Sequence, residues 1–211
     1  RAEILMYYLD DLPEARRILL SVAGGSGETR DLAKVRLGDV ALLSGDLNEA
    51  TRQYADVQDR FKAADSRAKG APTLSRRLAR SREEIEAQRE ALRRPRMQET
   101  YAPVADWKVK AVLEASASET VRTYLEQGAY DEAYEVLSLW ERQFPLSKIS
   151  GDLLVLEARL YRSFGQPRRA RRLLQGYCDA VEASSYIGDA LELLLDCMVD
   201  LEVPTTELRD F

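Results

Sequence analysis

The chain has 211 residues, 45% of them hydrophobic and 32% charged, with a formal net charge of −5. That balance excludes disordered and collagen-like classes and leaves enough apolar material for a sizeable core. Histidine is absent, which removes the commonest general base and the commonest metal ligand, and the two cysteines, Cys178 and Cys197, fall short of a four-ligand zinc site.

Residues 1–10 carry no signal-peptide pattern, and no run of about 18 apolar residues occurs that could span a membrane. The chain opens at Arg1 rather than Met, so the numbering is expected to start inside a longer gene product, and the compartment stays open between bacterial cell envelope and cytoplasm. A faint first helix pair is marked by Met6, Asp10, Ala15, Leu19 and Val22. The glycine-rich stretch A-G-G-S-G-E-T at 23–29 lacks the lysine and the preceding strand of a phosphate loop, so it reads as a linker. From Arg30 a clear pair follows, with Leu37, Gly38, Ala41, Gly45, Ala50, Tyr54 and Val57 in register. Tyr124, Gly128, Ala133, Leu137, Trp140 and Pro145 repeat the arrangement, and Tyr161, Gly165, Ala170, Leu174 and Tyr177 repeat it again. The last apolar stripe, Ile187, Ala190, Leu194 and Met198, predicts a helix over Tyr186–Asp200.

Each pair has the same physical logic. An apolar stripe runs into a turn at Gly45, Gly128 or Gly165, where glycine accepts the left-handed backbone that ends a helix. One turn into the second helix comes a small residue, Ala50, Ala133 or Ala170, which permits close helix approach. Larger apolar groups follow four and seven residues later, and Pro145 stops the helix. On adjacent helices joined near Ser184, Cys178 and Cys197 differ in height by about 10 Å, too far for a disulfide, and both read as buried small residues.

This pattern resembles the tetratricopeptide repeat, whose small and aromatic positions recur about every 34 residues. The resemblance covers the chain except for roughly residues 63–103. It implies an all-α fold: a right-handed, superhelical solenoid of antiparallel helix pairs with an inserted long helix. The implied divisions are N-terminal pairs over 1–62, an inserted basic helix and loops over 63–105, and C-terminal pairs with a capping helix over 106–211. The step from Ala133 to Ala170 is 37 residues, and the F-P-L-S-K-I-S turn at 144–150 is similar to the longer repeats of bacterial envelope-assembly proteins.

From Ala50 to Ala133 the step is 83 residues, about 49 beyond one repeat. The excess contains a predicted helix from Leu74 to Arg93, ended by Pro95, with Leu78, Ile85 and Leu92 every seven residues. Their companion positions, Leu74, Ser81 and Gln88, make the seam imperfect. Three roles stay open for this helix: a solvated strut on the solenoid, a homodimeric coiled coil, or a nucleic-acid contact. Ten Lys/Arg against four Glu between Ser66 and Arg96 favour an anion, with Arg76, Arg77 and Arg80 as the contacts, whereas the net negative chain opposes nucleic acid.

The resemblance implies that first helices line a concave groove. Counting back from the turn glycines, the groove takes Val35, Asp39 and Leu42, then Ser118, Arg122 and Leu125, then Val155, Arg159 and Arg162, and finally Asp189, Glu192 and Asp196. It would be basic in the middle and acidic toward the C-terminus, and would suit a protein or peptide segment of mixed charge. The lysine and asparagine pattern with which some family members clamp a terminal carboxylate is missing from these positions. Four arginines, Arg168, Arg169, Arg171 and Arg172, open the helix after Pro167, where cations meet the positive end of the helix dipole and need nearby acids or an anionic partner. Asp10–Asp11 and Glu83–Glu84 are adjacent in sequence and so point away from a shared site. The expectation is a non-catalytic protein–protein interaction scaffold with no cofactor and no metal; the alternative is a nucleic-acid-associated regulator using the basic helix.

Overall fold

The computed structural model describes residues 1–65, 77–78, 80–85, 106–181 and 183–203. The protein is all-α, with no strand among the described residues. The helices are α1 (Ala2–Tyr7), α2 (Leu12–Ala23), α3 (Glu28–Leu43) and α4 (Leu47–Asp65), then helical residues at 77–78 and 80–85 (α5). They continue with α6 (Asp106–Glu126), α7 (Tyr130–Gln143), α8 (Ser147–Ser150), α9 (Asp152–Ser163), α10 (Pro167–Ala180) and α11 (Ile187–Asp200). Leu74, Arg76, Gln88, Leu92 and Pro95 of the expected long helix, and the chain from Pro204 on, lie outside the described residues.

One turn geometry recurs. Gly45, Gly128 and Gly165 take φ of +76°, +71° and +71°. Each glycine N–H donates to the carbonyl three residues back, Leu42, Leu125 or Arg162, at 3.0, 3.1 and 2.9 Å. The next residue donates five back, to Ala41, Tyr124 or Tyr161, at 2.9 Å in each case. Together these bonds satisfy the last carbonyls of α3, α6 and α9, and they require a left-handed residue at the turn. α11 ends the same way with Glu202 at φ +54°: Glu202 donates to Val199 at 3.0 Å and Val203 to Met198 at 3.1 Å. Asp10, at the turn position of the first pair, is also left-handed at φ +52°.

Five residues after each of the first four turn positions comes a wholly buried alanine: Ala15, Ala50, Ala133 and Ala170 are all 0% exposed. In the α3–α4 pair the approach is closer still, because a Cβ on Gly38 would sit 2.3 Å from Cε1 of Tyr54. The small residues are therefore explained by helix contact.

Compaction divides the chain differently from the repeat boundaries. One unit joins residues 1–68 to 141–211, and the other is 69–140. The first unit is gathered by contacts between distant helices: α10 packs on its sequence neighbours α9 and α11 and also on α3 and α1. Gly176 permits the α3 contact, since a Cβ there would meet Leu43 Cδ2 at 2.8 Å. In a simple array each repeat touches only its neighbours, and local periodicity carries no signal for a second partner. The second unit holds α5, α6 and α7 as far as Trp140, with Leu78, Ile85, Ala117, Val121, Tyr124, Val136 and Leu137 buried. Leu78, Ser81 and Ile85 of the heptad seam are thus buried within this unit.

Candidate partner-binding surfaces

The interior of the first unit contains a cluster of ionisable side chains. Lys148, on the single turn of α8, is wholly buried; its Nζ donates to Asp39 Oδ1 at 2.9 Å and lies 2.6 Å from Glu141 Oε1 and 2.9 Å from Glu157 Oε2. Arg36 donates to Asp39 Oδ2 at 2.7 Å, to Glu141 Oε1 at 2.6 Å and to Glu3 Oε1 at 3.0 Å. The Tyr54 hydroxyl adds a bond to Asp39 Oδ1 at 2.7 Å, and the Tyr161 hydroxyl one to Glu157 Oε1 at 2.9 Å. At the edge of the cluster, Arg169 donates to Glu3 at 3.1 Å and lies over the Tyr161 and Tyr7 rings, 3.8 and 4.7 Å from their centroids. Helices α1, α3, α4, α7, α8, α9 and α10 are thereby tied at one place.

Charge balance inside the cluster is uneven, with three buried carboxylates facing Lys148 and Arg36. Burial by itself pushes Asp39 and Glu141 up, but the adjacent cations outweigh it and hold both below the usual carboxylate range. Glu157 goes the other way: burial dominates, Glu141 and Asp39 add to it, and its carboxyl is raised. Its Oε2 is close to Lys148, yet the angles leave that oxygen without a hydrogen bond. Lys148 and Arg36 thus offset Asp39 and Glu141, and these ion pairs tie the helices together as an architectural clamp.

Asp39 therefore does not stand where the repeat pattern put it. It was expected to line an open groove; it is 0% exposed, and its companions Val35 and Leu42 are 1% and 0% exposed. The reason is that the chain covers this face of α3 with its own C-terminal half, through α10 and the Lys148 cluster. Arg36, Glu141 and Glu157 were missed as a set, although a signal existed: Glu157 falls between Leu153, Leu154, Leu160 and Tyr161, at a position whose helical neighbours are all core. Lys148, in a short turn, had no such marker.

Helices α9 and α11 keep an accessible face. Arg162 of α9 reaches α11, donating to Asp196 at 2.6 Å and to Asp200 at 2.5 Å. Arg159 and Glu192 are exposed and Asp189 is half-buried. Beside these charges α11 presents Leu191, Leu195 and Val199, which are 37%, 45% and 67% exposed and four residues apart. Spacing of this kind forms one ridge on a helix.

In the second unit Arg122 is half-buried and donates to Ser118 at 3.3 Å. Of the three proposed anion contacts, Arg76 lies outside the described residues. Arg77 donates to Glu84 at 3.2 Å and Glu135 at 3.0 Å, and lies 5.9 Å from the Tyr124 ring centroid; Arg80 donates to Glu84 at 2.9 Å. Two of the cations offered to nucleic acid are thus paired with acids of their own unit.

Of the arginines that open α10, Arg169 joins the ionic cluster and Arg172 pairs with Asp10. A cavity of about 370 Å³ lies beside this face of α10, lined by Arg168, Arg171 and Arg172 together with residues of the α1–α2 turn and the end of α11. No helix of the described residues is long and apolar enough to cross a membrane, and no group of three or more acids and cysteines among them could hold a metal ion. Comparison with protein-family models, curated proteins and solved structures finds no match for the chain.

Proposed function

We propose that the protein is a non-catalytic interaction module built on tetratricopeptide-like helix pairs, and that it holds a helical segment of another protein against the open ridge of α11. The observation that carries this reading is one of register. Leu195 stands seven residues before the left-handed turn residue Glu202, as Ala158 stands before Gly165 and Gly38 before Gly45. In the complete pairs that position is closed by a second helix: Gly38 lies under Tyr54 of α4, and Ala158 is 0% exposed on α9, against which α10 packs. On α11 the equivalent position is a leucine 45% exposed. α11 thus has the register of a first helix, and its ridge of Leu191, Leu195 and Val199 is exposed.

The occupant's chemistry follows from what flanks the ridge. Asp189 and Glu192 border it on α11, so a helix with an apolar stripe and adjacent Lys or Arg complements it, the helix-in-groove mode of recognition. Titration with two labelled amphipathic peptides of identical apolar stripe, one flanked by lysines and one by glutamates, tests the reading by fluorescence anisotropy. The basic peptide should bind, and Leu195→Asp should weaken it about tenfold although it adds negative charge. Equal binding of both peptides, or an unchanged affinity in Leu195→Asp, overturns the proposal.

A further inference from the structure

The acids on the accessible face of α11 are not equivalent. Glu192, Asp196 and Asp200 stand four residues apart, each one position after Leu191, Leu195 or Val199, so an acidic row runs beside the apolar ridge. Asp189 extends that row by one turn toward the helix N-terminus. At the C-terminal end Arg162 of α9 covers the row, donating to Asp196 at 2.6 Å and to the two oxygens of Asp200 at 2.5 and 3.2 Å. Arg159, exposed one turn before Arg162, adds a second cation to α9, and Glu202 lies past the end of α11 at its left-handed turn. At the N-terminal end, no cation among the described residues pairs with Asp189 or Glu192.

Asp189 and Asp200 stand roughly 16 Å apart along the helix axis, about twice the screening length at physiological salt, so a bound segment meets two different ends. A base placed against Asp189 and Glu192 gains a partner; one placed against Asp196 and Asp200 competes with Arg162 for theirs. Direction follows from the complete pairs. The turns at 44–46 and 164–166 are three residues long, and such short links hold α4 on α3 and α10 on α9 as antiparallel neighbours. A helix lying in the equivalent place on α11 runs antiparallel to it and brings its own C-terminal end to Asp189 and Glu192. Lys or Arg in the last turns of a helix also meets the negative end of that helix's dipole. The charge pattern of α11 and the preference of the incoming helix therefore agree in one orientation.

Resting on the docking reading above, we propose that α11 selects its partner by where the bases lie: the bound helix runs antiparallel to α11 with Lys or Arg in its last two turns. Arg162 sets this orientation, because it closes Asp196 and Asp200 to bases at the other end. Two labelled peptides of one composition, acetylated and amidated, test it. Both carry the same apolar stripe, with a lysine pair in either the last or the first two turns, and each is titrated into the full chain by fluorescence anisotropy.

The last-turn peptide should bind about tenfold more tightly. Asp189→Asn with Glu192→Gln should remove most of that advantage and spare the first-turn peptide. Arg162→Gln, which uncovers Asp196 and Asp200, should raise the affinity of the first-turn peptide by about fivefold. Lysines in the last turns also favour the free helix, so the decisive reading is the change of ratio in the variants. A preference that survives both variants overturns the proposal. Equal binding of the two peptides, still weakened by Leu195→Asp, overturns it and leaves the docking reading standing, whereas binding of neither peptide overturns both. Self-association of the native chain that Leu195→Asp removes would assign the ridge to a second copy and would also overturn the proposal.

Discussion

Lys148 Nζ lies 2.9 Å from Asp39 Oδ1, and neither side chain keeps any exposure although 109 residues separate them in the chain. Removing one member of such a pair strands the other as an uncompensated charge, at a cost of about 3–5 kcal/mol. Lys148→Met and Asp39→Asn should each lower the stability of the first unit by about that much in urea denaturation followed by circular dichroism. The double variant should lose less than the two single losses combined, giving a coupling of about 1–3 kcal/mol. Additive losses would show that the two residues do not act as a pair.

Glu157 should behave unlike the other acids of the cluster. Asp39 and Glu141 are held below their ordinary values, 3.8 and 4.5, by Lys148 and Arg36 against the cost of burial. Their contribution is present above those ordinary values and is lost as pH falls through the lowered ones. Glu157 is raised above 4.5 by burial, so its contribution is complete below 4.5 and is lost as pH climbs through the raised value. Ionising Glu157 is therefore a cost, partly offset by Lys148. Glu157→Gln keeps an acceptor for Tyr161 and should shift neutral-pH stability by no more than about 1 kcal/mol, well short of the loss in Asp39→Asn. Its stability should rise relative to the native chain as pH climbs through the raised Glu157 value. A loss equal to that of Asp39→Asn would contradict the assigned direction.

How much of this was legible beforehand follows from the range of each interaction. The turns at Gly45, Gly128 and Gly165, and the buried Ala50, Ala133 and Ala170, are set by residues within one helix pair, and periodicity displays them directly. The packing of α10 on α3 depends on Gly176 meeting Leu43, two residues with no shared period. That contact changes the site as well as the fold, because it closes the α3 face around Asp39 while leaving Arg159 and Glu192 accessible on the helices that follow. A charge inside an apolar stripe, as at Glu157, is the one sequence mark of the ionic cluster; its partner Lys148 is found only by the fold.

Gly38 is expected to be the least replaceable small residue of the α3–α4 pair. An alanine Cβ would fall 2.3 Å from the Tyr54 ring, which cannot retreat without breaking its 2.7 Å bond to Asp39. Gly38→Ala should cost about 1–3 kcal/mol through overpacking. Gly45→Ala meets open space but a φ of +76°, so its cost is backbone strain of about 1 kcal/mol. Combining Gly38→Ala with Tyr54→Leu separates the causes, since a smaller partner should recover part of the steric loss yet forfeit the hydroxyl bond. If Tyr54→Leu gives no relief, the close approach is not what makes Gly38 necessary.

The two cysteines are both free, and their reactivity should differ. Cys197 is 0% exposed on α11, and its thiol is pushed up to about 11, first by burial and then by the nearby Asp200 and Asp196 against the opposing pull of Arg162. Cys178 is half-buried, and burial together with Asp179 raises it without sealing it from solvent. The thiolate is the reacting form. At neutral pH iodoacetamide should therefore label Cys178 first and reach Cys197 only when α11 detaches, so peptide mapping should show Cys197 labelling in step with urea unfolding. The raised value also sets a sign: Cys197 contributes fully below its ordinary 9.0, and the contribution fades as pH rises toward about 11. Cys197→Ala removes that dependence and leaves a small cavity costing about 1 kcal/mol at neutral pH. Equal labelling of both thiols in the native protein would mean that α11 opens without global unfolding, and would place the ridge of Leu191, Leu195 and Val199 on a helix that detaches by itself.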